Sequence, residues 1–229
     1  MTYSNIYNIL MLISILSLIY IFVLMFRRID TNKRYDRRLG VNTTGVRSWD
    51  NSEVYNRTES TPYSALKSLV KEYKVNSDDN IVDFGSGKGR VAIFLHNKYR
   101  VAVTGIEANE LTYDEAVENV KSYCDKFNYI DHDLKIEKEY AEEYAIKERE
   151  NKFFFFNPFD VSIFEKVIDN IVVNSNDLNK EVEVILYFPI DEYVAYLEEA
   201  KFTLIKKIKF PGSIGPRENF LIYRFNPLS

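Results

Sequence analysis

The sequence predicts an α/β fold in which a mostly parallel sheet ends in an antiparallel hairpin, preceded by one membrane-spanning helix. An apolar stretch at 80–84 runs into a glycine-rich turn and then a helical pattern, as in a strand, turn and helix unit. Further apolar runs alternate with amphipathic stretches, which is typical of parallel sheets. The last two strand-like runs, 202–210 and 219–225, are too close in sequence for a crossover helix, so they are predicted to pair as a hairpin.

The N-terminal segment is predicted to be an uncleaved membrane anchor. No charged residue occurs from Ile6 to Phe26. As a helix rising about 1.5 Å per residue, this run is about 31 Å long, enough to cross a hydrocarbon core of about 30 Å. A cleaved signal peptide is the alternative, but no basic residue precedes the run and no small-x-small site follows it. Residues 1–27 are therefore assigned to a transmembrane anchor.

A basic segment follows the predicted anchor. Between Arg27 and Arg38, six basic residues stand against two acidic ones. Because basic flanks remain on the cytoplasmic side, the following domain is expected to be cytoplasmic. A solvated stop-transfer flank explains these charges as well as binding to anionic lipids does. Residues 28–54 are assigned to this basic juxtamembrane segment and a polar linker.

The charge and the cysteine and histidine content argue against nucleic-acid binding, an internal disulfide and a metal site. The chain carries a net charge of −4 in spite of its basic segment, so nucleic acid, whose phosphates need Lys and Arg, is an unlikely partner. The single cysteine, Cys124, cannot form an internal disulfide. Asp131, His132 and Asp133 have metal-ligating side chains, but with no second His or Cys nearby a solvated turn is the better interpretation. No metal site is predicted.

A helix is predicted just before the first strand. Leu66, Leu69, Val70 and Tyr73 follow helical spacing. Thr61 is a plausible N-cap, with Pro62 at the first helical position.

The glycine-rich turn is the strongest local signal. Asp83 ends the first strand, and glycines follow at alternate positions: Gly85, Gly87 and Gly89, with Ser86 between the first two. A dinucleotide fingerprint needs its third glycine at position 90, which is Arg90, and a P-loop needs Ser or Thr directly after Lys88. Both patterns fail. The turn still predicts a nucleotide-type site, because the following helix N-terminus offers unpaired N–H groups to a polar ligand.

The predicted second strand, 101–106, ends in an acidic residue, Glu107. A carboxylate at this position accepts hydrogen bonds from ribose hydroxyls in nucleotide-binding α/β folds. A solvated strand-end carboxylate is the alternative. Ala108 and Asn109 follow directly and are expected to face the nucleoside part of such a ligand.

The remaining elements alternate between helix and strand. Leu111 is expected on the buried side of a helix from Leu111 to Tyr123, and 134–137 is predicted to be a short strand. The later predicted elements are a helix at 161–173, a strand at 183–188 and a helix at 191–200.

A run of four phenylalanines, 153–156, predicts a strand buried on both faces, as in the centre of a parallel sheet. Asn157, Pro158 and Phe159 follow it, and the carboxyl end of such a strand borders the ligand crevice. Asn-Pro is also an ordinary turn former.

Together these motifs resemble the class I S-adenosylmethionine-dependent methyltransferases. The pattern D-x-G-x-G-x-G from Asp83 to Gly89 is similar to their first motif, and Asn157-Pro158-Phe159 resembles the Asn-Pro-Pro-Tyr/Phe motif of many N-methyltransferases, with one proline fewer. The resemblance implies a Rossmann-like seven-stranded methyltransferase sheet over residues 55–229, with S-adenosylmethionine as cofactor.

The resemblance also implies roles for individual residues. The glycine turn would hold the cofactor, Glu107 its ribose, and Asn157 to Phe159 the methyl acceptor. A segment like the one around Thr61 lies over the methionine end in the family, so Thr61 either contacts the cofactor or caps the helix. An acidic residue after the third strand lies near adenine in the family; here Glu139 or Tyr140 is the candidate, or both belong to a solvated acidic segment.

The resemblance, together with the apolar N-terminal segment, implies a membrane-anchored methyltransferase acting on a nitrogen, as in a protein lysine or an amine. A single anchor before such a domain resembles membrane-associated protein lysine methyltransferases. Two alternatives remain. A nicotinamide-dependent oxidoreductase is disfavoured by Arg90, and a non-catalytic, membrane-tethered binding domain would keep the fold as a scaffold.

Overall fold

The computed structural model describes residues 3–47, 54–129, 133–211, 213 and 215–227. Asp131 and His132, considered above as metal ligands, lie outside the described residues. The same holds for 48–53 of the predicted linker and for Gly212 and Ile214 of the last turn.

The described residues form one seven-stranded mixed sheet in the order β3-β2-β1-β4-β5-β7-β6. The strands are β1 Asn80–Phe84, β2 Val103–Ile106, β3 Leu134–Glu137, β4 Glu150–Phe155, β5 Val182–Tyr187, β6 Thr203–Lys209 and β7 Asn219–Phe225. The first five are parallel, and β7 lies antiparallel between β5 and β6. The predicted parallel sheet with a terminal antiparallel hairpin is therefore confirmed.

Six helices are described: α1 Tyr3–Leu39, α2 Tyr63–Glu72, α3 Arg90–Tyr99, α4 Glu110–Phe127, α5 Val161–Leu178 and α6 Asp191–Glu199. Side chains of α2, α3 and α4 pack on one face of the sheet, and those of α5 and α6 on the other. Phe154 joins the first core, while Phe153 and Phe155 join the second. The strand β4 is thus buried on both faces, as its phenylalanine run predicts.

Several local predictions differ from the structure, among them the ends of α4 and α5, which lie beyond the predicted Tyr123 and Val173. The N-cap of α2 is Pro62, in an extended conformation, and not Thr61. The carbonyl of Pro62 accepts from the amides of Ala65 and Leu66 at 3.0 and 3.1 Å, so the proline itself begins the helix. The strand β2 begins at Val103, two residues later than predicted. Leu111 is 64% exposed in the first turn of α4, although its spacing predicted burial.

The first helix, α1, continues well beyond its apolar part. Asn5–Val23 has a mean hydropathy of 2.4, is not buried against the described residues and is long and apolar enough to cross a membrane. The helix then extends past residue 27 to Leu39. Its last turns pack on the domain, where Leu39 is buried and the ring of Tyr35 stacks on that of Tyr63 at 4.7 Å. Residues 28–39 are therefore helical, and the polar connection begins only at Gly40.

Candidate functional site

An open cleft, about 670 Å³ with the adjoining open solvent included, lies at the carboxyl ends of β1, β2 and β4. This is the edge at which open α/β sheets bind their ligands. Its walls are the glycine-rich turn, the end of β4 and the covering segment Tyr55–Thr61. The predicted site residues that line it are Thr61, Asp83, Gly85, Ser86, Gly87, Glu107, Ala108, Pro158 and Phe159.

The glycine turn is packed directly against the predicted acceptor motif. Gly85 has φ +69°, and a Cβ there would collide with Cβ of Pro158. Gly87 has φ +55°, and its Cβ would lie 2.7 Å from Cγ2 of Thr58 in the covering segment. The two motifs that the sequence singled out, the turn and the strand end, therefore meet in one site. Glycine is needed where the backbone adopts positive φ and approaches other groups this closely.

Replacing Gly85 with Ala is expected to lower the free energy of unfolding by about 2 to 4 kcal/mol, because it adds backbone strain to the collision with Pro158. Gly89→Ala is the matched control. Gly89 also has positive φ, +81°, but its Cβ would meet its nearest atom at 3.6 Å, so a loss of only about 1 kcal/mol is expected. Urea unfolding of both variants measures the difference, and equal losses would contradict the close approach.

The carboxylate of Glu107, at the end of the neighbouring strand β2, is hydrogen-bonded to the glycine turn. It is buried, with Oε2 accepting from the Gly87 amide at 2.9 Å and Oε1 from the Asn109 amide at 2.9 Å. Burial raises the pKa of this carboxyl, and the backbone hydrogen bonds oppose that shift. Ala108 lines the cleft, whereas the side chain of Asn109 caps α4 by accepting from the Thr112 amide at 3.0 Å.

Among the acidic residues that line the cleft, Asp83 has the pKa with the largest shift. It is 2% exposed at the end of β1. Burial raises the pKa of its carboxyl to about 8, a hydrogen bond from the backbone of Ala92 opposes the shift, and the charge of Glu107 adds to it. A carboxyl that is costly to ionise in the ligand-free protein is suited to pairing with a cationic group.

Four buried polar atoms in the cleft wall have no hydrogen-bond partner among the described residues: Thr61 Oγ1, Asp83 Oδ2, Ser86 Oγ and Arg90 Nη2, although Arg90 Nη2 also lies 3.6 Å from Oδ2 of Asp36. Such atoms are rare in folded proteins, because burying a polar group without a partner is costly. Their concentration in one cleft indicates a ligand with complementary donors and acceptors. Arg90, which the sequence offered only as the residue that breaks a dinucleotide fingerprint, belongs to this group.

The end of β4 is tied to the covering segment and to the end of β5. Asn157 has φ +40° and donates from Nδ2 to the Phe188 carbonyl at 2.7 Å, and Phe188 itself has φ +54°. Asn56 donates from Nδ2 to the Asn157 carbonyl and from its amide to the Pro158 carbonyl, both at 2.9 Å. Pro158 and Phe159 line the cleft, while Asn157 lies beside it.

Residues of the covering segment were anticipated only as a group. The hydroxyl of Tyr55 donates to Glu142 at 2.7 Å, and its ring packs edge-on against Phe159 with centroids 5.9 Å apart. Between the two candidates after the third strand, Glu139 lines the cleft, whereas Tyr140 is 48% exposed and packs on Tyr55. Asn56 and Phe188 carried no sequence signal, because their contacts join segments distant in sequence.

The fold is similar to that of many solved structures, although no family model and no curated protein matches the sequence. An RNA methyltransferase from Salinibacter ruber in complex with S-adenosyl-L-homocysteine matches with a TM-score of 0.54 at 16% identity, over 75% of this chain and 95% of that chain. Precorrin-6y C5,15-methyltransferase from Geobacter metallireducens matches with 0.54 at 15%, over 73% and 89%. A putative RNA methyltransferase from Pyrococcus horikoshii matches with 0.50 at 17%, over 84% and 99%. The chain therefore has the fold of the class I S-adenosylmethionine-dependent methyltransferases.

Proposed function

We propose that this chain is a membrane-anchored S-adenosylmethionine-dependent methyltransferase that acts on a nitrogen, as in a protein lysine or another amine. The observation that carries the proposal is the set of four buried polar atoms in the cleft that have no hydrogen-bond partner among the described residues. They match an α-amino acid: Asp83 would accept from the ammonium group and Arg90 would donate to the carboxylate. A nicotinamide dinucleotide offers phosphates and no such zwitterion, so the set favours the methyl donor.

The other walls of the cleft suit the rest of the cofactor. Thr61 and Ser86 line the same cleft as Asp83 and Arg90 and would offer their hydroxyls to the cofactor. Glu107, whose oxygens already accept from two backbone amides, would bind the ribose hydroxyls through its remaining lone pairs. Ala108 and Glu139 would then border the adenine. Asn109 and Tyr140 are proposed to support this end indirectly, through the cap of α4 and the ring of Tyr55.

The acceptor side is proposed to be the end of β4. When bound, S-adenosylmethionine supplies an electrophilic methyl group on a sulfonium centre, which is open to direct displacement. Because Nδ2 of Asn157 is engaged by the Phe188 carbonyl, Oδ1 is the side-chain atom left to accept from a target N–H. Pro158 and the ring of Phe159 would shape the approach of the nitrogen, and catalysis would come mainly from positioning.

The location is proposed from α1 and its charges. An apolar span followed by six basic residues favours a single-pass anchor with the domain in the cytoplasm. Two of the proteins with similar folds are described as RNA methyltransferases. For this chain an amine or a basic protein segment is favoured over RNA, since its net charge is negative even with the basic flank included.

Calorimetric titration of the full chain in detergent tests the cofactor. S-adenosylmethionine and S-adenosylhomocysteine are expected to bind, and NAD is not. Binding of NAD alone would support the oxidoreductase instead. If S-adenosylmethionine binds, incubating membranes with its methyl-labelled form is expected to label an amine-bearing acceptor. Binding with no label in protein, lipid or small molecule would favour the non-catalytic binding domain.

A further inference from the structure

The end of the anchor helix reaches the cleft through one buried carboxylate, Asp36. Its side chain is 6% exposed, although the helix begins in the apolar span. Oδ2 accepts from the Thr43 amide at 2.9 Å, and Oδ1 accepts from the hydroxyls of Thr43 and Tyr63, each at 2.8 Å. Asp36 thus ties the helix to the start of the polar connection and to α2.

These same groups hold the guanidinium of Arg90. Nη2 of Arg90 lies 3.6 Å from Oδ2 of Asp36, and Nε donates to Oγ1 of Thr43 at 2.7 Å. The guanidinium also lies over the ring of Tyr63, 4.7 Å from its centroid. A further hydrogen bond, from Nη1 of Arg90 to the Thr61 carbonyl at 3.3 Å, comes from the covering segment. The contacts on the helix side involve Asp36 itself or a residue that is hydrogen-bonded to it.

We propose that Asp36 is a positioning residue that aims Arg90 into the cleft, so that the docked end of the anchor helix is part of the cofactor site. This inference rests on the proposed function, because the ligand of Arg90 is taken to be the carboxylate of S-adenosylmethionine. The helix is continuous, and Asp36 lies about 20 Å along its axis beyond Val23, the last residue of the apolar span. Cofactor binding and docking of the helix then stabilise each other, since coupling between two events is reciprocal.

The test measures the affinity of the full chain in detergent for S-adenosylhomocysteine. Asp36→Asn keeps the shape of the side chain and removes its charge, and it is expected to raise Kd at least fivefold. Asn32→Ala is the matched control. Asn32 accepts from the Tyr63 amide at 3.1 Å, so its loss weakens helix docking without removing a contact to Arg90, and Kd is expected to stay within twofold.

A double-mutant cycle separates positioning from general stability. In an Arg90→Gln background, Asp36→Asn is expected to change Kd less than twofold, because its effect runs through the guanidinium. An equal effect in both backgrounds would overturn the inference. So would an unchanged Kd in Asp36→Asn while the wild type binds. Absence of binding by the wild type would instead overturn the proposed function itself.

Hydrogen exchange on the wild type tests the reciprocal effect without any variant. Saturating S-adenosylhomocysteine is expected to slow amide exchange in residues 32–43, including the Thr43 amide that donates to Asp36. Unchanged exchange in this segment, with protection at the glycine turn, would overturn the coupling even if Asp36→Asn did not fold.

Discussion

Replacing Asp83 with Asn is expected to stabilise the ligand-free protein at neutral and alkaline pH while weakening cofactor binding at least tenfold. The folded pKa of about 8 lies above the unfolded value of about 3.9. The contribution of this carboxyl to stability is therefore complete below about pH 4 and is lost as pH rises through about 8. Between about pH 4 and pH 8 the free energy of unfolding falls by on the order of 1 kcal/mol per pH unit. The amide of Asn does not ionise, so the variant does not lose this stability. The expected loss of cofactor affinity corresponds to one charged hydrogen bond, about 1.5 to 3 kcal/mol.

Thermal unfolding from pH 5 to 9 and titration with S-adenosylhomocysteine measure the two effects. Asp79→Asn is the control, because Asp79 is also buried but lies before β1, at the opposite end of that strand from the cleft. Its Oδ1 accepts from Asn151 at 2.7 Å and lies 3.8 Å from Nζ of Lys152. This control is expected to lose stability and keep affinity. A lower free energy of unfolding for Asp83→Asn than for the wild type at pH 8 would show that ionising the buried carboxyl costs no stability at that pH.

Removing the side chain of Asn157 by Asn157→Gly is expected to lower the rate of methyl transfer about 100-fold or more while changing cofactor affinity less than threefold. The loss follows from misplacing the acceptor nitrogen relative to the methyl group. Glycine suits the φ of +40° at this position, so the backbone is not strained by the change. Single-turnover rates with labelled S-adenosylmethionine and membrane acceptor, together with titration, separate the two quantities.

Asn179→Gly controls for the backbone effect. Asn179 also has positive φ, +49°, but it caps the C-terminus of α5, outside the cleft wall. Both activity and affinity should survive this change. A parallel fall of rate and affinity in Asn157→Gly would assign Asn157 to the cofactor, and an unchanged rate would remove it from the acceptor side.

Much of the site was predictable because its signals are local. The turn from Gly85 to Gly89 needs positive φ at alternate residues, and the alternating glycines in the sequence indicate that requirement. The positions of Glu107 and Asn157 followed from where their strands end, since the carboxyl ends of parallel strands share one edge. The N-cap prediction at Thr61 was wrong. Thr61 and Pro62 both suit the start of a helix, and Pro62 takes the cap position.

The sequence by itself determined the order of strands and helices, the glycine turn and the apolar span at the N-terminus, because periodicity, turn chemistry and length are properties of neighbouring residues. Only the tertiary structure decided which polar atoms in the cleft lack hydrogen-bond partners among the described residues, that Gly85 meets Pro158, and that Asp36 reaches Arg90. These are contacts between segments tens of residues apart, and the raised pKa of Asp83 likewise depends on its burial in the packed chain. Burial and pairing arise only when the chain is packed, so they carry no signature in the local pattern.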